Sequence, residues 1–203
     1  MKKRSKAARP QKRSAAALED ELKLKIEPRG PDQKRIDQVA RALADHPSVQ
    51  EFLAKTRNRM LSFELVEPEV ESKPARPLPP PNLYRATFYD YTNNRTILVD
   101  GDLDQPRRVK VSESGIQPLP SYQEFEEAVK LLMQDPNLGP AIREKQVQPY
   151  PPMPPIIDVE SAHGRMERTV GVGLLPVKQG ARHEIVGVNM VRRAAVRFAE
   201  RDP

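Results

Sequence analysis

The sequence predicts an α+β fold made of two tandem units, each a helix packed on an antiparallel sheet, and three observations carry that reading. First, an amphipathic segment broken by a proline occurs twice: the run from Gln38 through Val39, Leu43 and Asp45 to Pro47 matches in residue type the run from Glu127 through Ala128, Leu132 and Gln134 to Pro136. Internal similarity of this kind implies two related supersecondary units. Second, extended segments with alternating apolar residues follow each broken helix. Third, each half contains a proline-rich stretch, residues 68–82 and 149–155, which the proline geometry makes extended.

Charge separates a tail from the rest. Residues 1–30 hold ten Lys or Arg against four Asp or Glu, whereas residues 31–203 hold 24 of each, so the whole net charge of +6 belongs to the first thirty. The expected layout is therefore a disordered basic tail at 1–30, a first unit at 31–118 and a second at 119–203. In the tail Lys2, Lys3, Arg4, Lys6, Arg9, Lys12 and Arg13 form a run without an acid, a candidate anion-binding arm for nucleic acid or an anionic surface. High charge with almost no periodic apolar face is the composition of a segment that does not fold alone. No apolar run follows that is long enough for a signal-peptide core or a membrane span, which sets the expectation of a soluble, cytoplasmic protein. With no cysteine, disulfides, thiolate metal sites and a cysteine nucleophile are excluded.

Taken in order, Asp32 caps a helix whose Ile36, Val39, Ala40 and Leu43 fall at i, i+3, i+4, i+7. His46 and Pro47 stop it, and Ser48 with Glu51 has the capping-box spacing for a second helical turn running toward Arg59. Leu61, Phe63 and Leu65 alternate with Ser62 and Glu64 as a half-buried strand. The stretch 84–91, the polar turn at 92–95 and the run 96–99 read as a hairpin, and Gly101 and Asp102 turn the chain toward a further strand at Val109 and Val111. Ser121 and Glu124 repeat the capping-box spacing at the head of a helix whose Phe125, Ala128, Val129 and Leu132 share one face. Beyond the second proline-rich connector, residues 156–159, 168–175 and 184–198 read as three strands.

Catalytic motifs are absent. His183 and Glu184 begin like a zincin helix, but Gly187 stands where the second imidazole is needed. Gly171 and Gly173 lie inside a strand pattern, and Pro176 occupies the third position of a dinucleotide loop. Asp100, Asp102 and Asp104 have calcium-loop spacing, yet Gln105 and Val111 replace the required glycine and glutamate. His46, His163 and His183 each adjoin a turn signal. An aromatic content of 5% is too low for a stacking platform, so a single-strand nucleic-acid binder is not expected.

The ordered set Asp45, His46, Pro47; Phe63, Glu64, Leu65; Tyr84, Arg85, Ala86, Thr87, Phe88, Tyr89, Asp90; Gly115, Ile116, Gln117, Pro118; Glu124, Phe125, Glu126, Glu127, Ala128; Asp135, Pro136 resembles the N-terminal region of copper amine oxidases. The resemblance spans residues 33–198 and is strongest between Arg85 and Pro136. It implies two successive cystatin-like domains that, in that family, precede a catalytic β-sandwich oxidising primary amines with copper and topaquinone. The family's quinone forms from a tyrosine in Thr-x-x-Asn-Tyr-Asp/Glu, and none of Tyr84, Tyr89, Tyr91, Tyr122 or Tyr150 follows an asparagine. Its copper site uses a His-x-His pair that this chain lacks. These residues therefore fit neither group, and the expectation is a non-catalytic accessory region with no cofactor of its own, paired with or joined to an oxidase catalytic chain.

In the resembled family the second unit lies against the catalytic domain. If residues 185–198 form one strand whose even positions pack on the helix, Arg193 and Arg197 point outward and are the candidate partner-docking residues. A second copy of the chain is another partner the surface allows. The competing reading is a stand-alone interaction protein that uses its basic tail on nucleic acid or an anionic surface.

Overall fold

In the computed structural model the described residues are 30–67, 81–155, 159–160, 166–177, 180 and 182–197. The basic run Lys2 to Arg13, the expected disorder of the tail, most of the first proline-rich stretch and the turn at His163 lie outside them. Among the described residues no helix is long and apolar enough to cross a membrane.

The architecture is α+β: two helices followed by a four-stranded antiparallel sheet occur in each half, but in the second half a separate two-stranded ladder is inserted after the first strand of the sheet. Helices α1 (Gln33–Leu43) and α2 (Pro47–Leu53) precede β1 (Asn58–Leu65), β2 (Leu83–Asp90), β3 (Arg95–Asp102) and β4 (Val109–Ser114), which pair antiparallel in chain order. Helices α3 (Tyr122–Gln134) and α4 (Gly139–Arg143) precede β5 (Val147–Tyr150), then a two-stranded ladder of β6 (Val159–Glu160) and β7 (Met166–Glu167). The second four-stranded sheet follows in the order β5, β8 (Thr169–Pro176), β9 (Glu184–Asn189), β10 (Ala194–Val196).

Local chemistry explains the boundaries. The Asp32 side chain accepts from the Lys34 amide at 3.1 Å and opens α1. At the first break the cap is His46, whose Nδ1 lies 3.3 Å from the Ser48 amide, and Pro47 fills the first helical position where no N–H is needed. The Ser48 and Glu51 capping box is therefore corrected: both residues lie inside α2. At the second break Asp135 Oδ1 accepts the amides of Asn137 and Leu138, each at 2.9 Å. Two residues beyond each short helix stands a lysine in left-handed backbone, Lys55 at φ 62° and Lys145 at φ 55°. This conformation ends a helix and is usually given to glycine.

The first core lies between one face of the first sheet and its helices, with Val39, Leu43, Val49 and Leu53 against Ala86, Phe88, Ile97 and Val99. The opposite face is not left to solvent. Because successive strand residues point to opposite faces, Tyr89 turns away from the first core, and with Tyr91 just beyond the strand it joins the second core beside Ala128, Leu132, Val170, Val188 and Met190. Leu61, displaced by a bulge between Met60 and Ser62, packs there as well. The residues from Pro31 onward accordingly form one compact unit.

Two expectations for the C-terminal half are corrected. The connector at 149–155 begins inside a strand: Pro149 belongs to β5, and it is tolerated because β5 is an edge strand whose missing N–H costs no ladder bond. The single strand at 184–198 is a hairpin. Asn189 Oδ1 accepts the Arg192 amide at 2.8 Å, and Arg193 adopts φ 58°, so the chain reverses before β10. The even-position pattern holds through Val186, Val188 and Met190 and then ends; in β10 it is Ala195 that packs on the core.

Burial of the two shared tyrosines has a measurable pH consequence. Desolvation, with the nearby Glu124 and Asp90 charges adding to it against Arg168, pushes the Tyr89 phenol up to about 12 from an ordinary 10.0. Burial and the Glu124 carboxylate push Tyr91 up as well. Above about pH 10 the unfolded chain loses these protons while the folded chain keeps them, so the folded state binds more protons and its stability must fall as pH rises. Urea unfolding midpoints should decline steadily between pH 10 and the folded pKa of about 12. A flat profile over that window would show the phenols to be solvated.

Candidate docking surface

The centre of the molecule is a charged network sealed from water. Arg168 and Glu124 are both 0% exposed and meet in a two-bond fork, Nε to Oε1 at 2.5 Å and Nη2 to Oε2 at 2.7 Å. The Tyr91 hydroxyl donates to Glu124 Oε1 at 2.9 Å, and the guanidinium lies 4.5 Å from the Tyr89 ring centroid. Arg168 Nη1 donates to the Pro118 carbonyl at 3.0 Å. Asn94 Oδ1 accepts from both the Tyr89 hydroxyl (2.8 Å) and the Arg168 amide (3.2 Å). The Arg168–Glu124 fork lies within the second half, and it is tied to the first half and to the connector by the bonds of Tyr91 to Glu124, of Arg168 to Pro118 and of the Arg168 amide to Asn94. Charges are tolerated in a dry interior only when they are paired and hydrogen-bonded, and here each guanidinium nitrogen of Arg168 and each carboxylate oxygen of Glu124 has a partner. With three donors on its oxygens, Glu124 is committed to structure.

That network fixes the connector at residues 115–121, and the connector creates the surface. The carbonyl of Pro118 is held by Arg168, and that of Ile116 accepts from Thr96 Oγ1 at 2.6 Å. With the main-chain acceptors satisfied inward, the side chains of Ile116 and Leu119 turn outward, 78% and 74% exposed. Ser121 Oγ then accepts the Glu124 amide at 3.2 Å and starts α3, leaving Tyr122 74% exposed on its first turn. Met153, 88% exposed, faces the same groove from the second connector. The groove has a volume of about 310 Å³ and is lined by Leu119, Tyr122, Phe125, Met153, Pro155 and Val170, almost wholly apolar. Exposed apolar clusters of this kind mark interaction sites.

The other side of α3 is polar. Glu127 takes Arg59 at 2.6 Å and Arg193 at 2.5 Å, one cation from β1 and one from the β9–β10 turn. Burial pushes the Glu127 carboxyl up, but the two arginines more than offset it and hold it below the usual carboxylate value. Gln123 and Tyr122 join this polar cleft to the apolar groove through a smaller cleft against β1, so one stripe runs the length of α3.

Of the docking residues expected from sequence, Arg193 is half exposed and bound to Glu127, while Arg197 sits 3.5 Å from Glu184. Neither lies on the outward face of a single strand, since the segment is a hairpin; each is paired with a carboxylate of its own chain. The tail residues Lys2, Lys3, Arg4, Lys6, Arg9, Lys12 and Arg13 lie outside the described residues. Among the described residues no three His, Asp or Glu side chains converge as a metal-ligand set. His183 Nε2 is engaged with the Tyr150 hydroxyl at 2.6 Å. Sequence reasoning missed Arg168 and the inward turn of Glu124. The second had a signal, since a glutamate at the capping-box position beside an apolar face has two ways to point.

Comparison with known proteins finds no matching family model and no matching curated protein.

Proposed function

We propose that this chain is a non-catalytic docking module: two tandem cystatin-like units, related to the N-terminal region of copper amine oxidases, that present the stripe along α3 to an oxidase catalytic chain. The observation that supports this reading is the gathering of Leu119, Tyr122 and Met153, each more than 70% exposed, around one groove, beside a connector whose backbone is tethered to the interior. Such rigid, exposed apolar anchors are what a partner's pocket can bury without ordering cost. In this reading Arg193 and Arg197 serve the rim, where charges set orientation and encounter rate more than affinity.

The test mixes the full chain with the isolated catalytic β-sandwich of a copper amine oxidase and reads association by native mass spectrometry and calorimetry. A one-to-one complex is expected, abolished by the pair Tyr122→Glu and Met153→Glu, and weakened several-fold in a salt-dependent way by Arg193→Glu with Arg197→Glu. No association at micromolar concentration, or association indifferent to the groove substitutions, overturns the docking reading. Peroxide release from a primary amine by the purified chain with copper, above a metal-free control, would overturn its non-catalytic half. Steeply salt-dependent nucleic-acid binding that is lost on deleting residues 1–30 would instead favour the tail-driven alternative.

A further inference from the structure

Neither cysteine nor tryptophan occurs in the chain, so the side chains most readily oxidised by a peroxide are its six methionines. All but Met1 lie among the described residues, and the fold treats them unequally. Met190 is 0% exposed in the second core, and Met60 and Met133 pack, partly buried, against the two cores. Met166 is 49% exposed and stands at a different cleft, beside Asn94 and Gln117. Met153 is 88% exposed and lines the apolar groove with Leu119 and Tyr122.

The neighbours of Met153 hold it outward. Pro152 on one side is buried, and on the other the Pro155 carbonyl accepts the Gly171 amide at 2.8 Å, so the chain is anchored on both sides of the exposed side chain. An unbranched thioether adapts its shape to an apolar partner and is common on such binding surfaces. A sulfur that solvent reaches is also open to peroxide. Its lone pair attacks one peroxide oxygen, an S–O bond forms as the O–O bond breaks, and the proton of the transferred hydroxyl leaves with the departing hydroxide as water. Sulfur loses two electrons and the peroxide gains them. The product sulfoxide is polar, in a groove whose surface is almost wholly apolar. Covering it with an apolar partner strips water from a dipole and puts little in its place.

We propose that Met153 is a reversible oxidation site that switches the groove: as the thioether it anchors an apolar partner, and as the sulfoxide, formed by a peroxide and reversed by methionine sulfoxide reductases, it releases that partner. This inference rests on the reading of the groove as a docking surface, but not on which chain docks there.

The full chain is treated with hydrogen peroxide and digested with trypsin; Met60, Met133, Met153, Met166 and Met190 fall in different tryptic peptides, so mass spectrometry reads each separately. Met153 is expected to gain its oxygen first, several-fold faster than Met166, with Met190 unreacted while the protein stays folded. Groove affinity is read with Nile red, a neutral apolar dye, through its emission and the amide resonances of Leu119 and Tyr122. Oxidation of Met153 should weaken Nile red binding about tenfold, the order of effect of covering one poorly partnered polar group, with the melting temperature unchanged and the affinity restored by the reductases. Met166→Leu should change neither the site oxidised first nor the loss of affinity. The proposal is overturned by Met153 oxidising no faster than Met190, by Nile red leaving these amides unshifted in the reduced chain, or by equal affinity of the oxidised and reduced proteins. A loss that the reductases do not reverse, or that disappears in Met166→Leu, overturns it as well. Failure to associate with an oxidase catalytic chain would overturn the choice of partner and leave these measurements to decide the switch.

Discussion

Replacing Arg168 by leucine should cost about 3–5 kcal/mol, because it strands a buried carboxylate. Glu124 would keep only the Tyr91 hydroxyl, in a site where neither it nor Arg168 has any exposure. The double variant Glu124→Leu with Arg168→Leu should be more stable than Arg168→Leu alone, since removing both charges also removes the desolvation cost that the pair offsets. Its residual loss should shrink further when Tyr91→Phe takes away the hydroxyl that has lost its acceptor. Urea unfolding of the two singles and the double gives the coupling directly. If Arg168→Leu falls within about 0.5 kcal/mol of the parent, the range of an ordinary surface change, the network is wet and the tether it provides to the connector does not exist.

Gly139→Ala is the second large effect, and here two principles oppose each other. In a helix, alanine is favoured over glycine by about 1 kcal/mol on propensity. At this position, however, a Cβ would stand 2.4 Å from the Met133 carbonyl oxygen and 2.6 Å from Arg143 Nη1. The oxygen belongs to the last turn of α3 and already accepts a bond from the Arg143 guanidinium, so it can retreat only if the two helices separate. Overpacking of that kind costs about 1–3 kcal/mol and outweighs the propensity gain. The expected outcome is a net loss, measured beside Gly115→Ala, where a Cβ meets nothing within 4 Å and the change should be close to neutral. A stabilised Gly139→Ala protein would mean that α4 is not pressed against α3.

What could be read in advance follows from which forces are local. The spacing of Val39 and Leu43, the Ser121 cap and the alternation through β2 are set by neighbours within a few residues, and they locate α1, α3 and the first hairpin. The end of α2 could not be read, because its terminator is Lys55 in left-handed backbone and lysine carries no such signal. The turn before β10 was hidden for the same reason: Arg193 holds a conformation that glycine or asparagine would have announced. Tyr89 in β2 looked like one more member of an alternating strand, and only tertiary pairing shows that it serves the second core. Arg168 was invisible as a buried residue because its partner lies 44 positions away, and nothing in a linear pattern distinguishes it from a solvated arginine beside a strand.

The sharing of Tyr89 and Tyr91 decides how the molecule comes apart. A chain with two sheets would ordinarily have two melting events, each half with its own free energy. Here the second core draws part of its lining from β2 and the turn that follows it, and Arg57 in turn donates to the carbonyls of Met190 and Val191 and lies 4.4 Å from the Tyr91 ring centroid. Neither half can lose its order without stripping the other of core or of hydrogen bonds. The described residues of the two halves should therefore unfold as one cooperative unit, and a destabilising change in either half should lower the same global unfolding free energy.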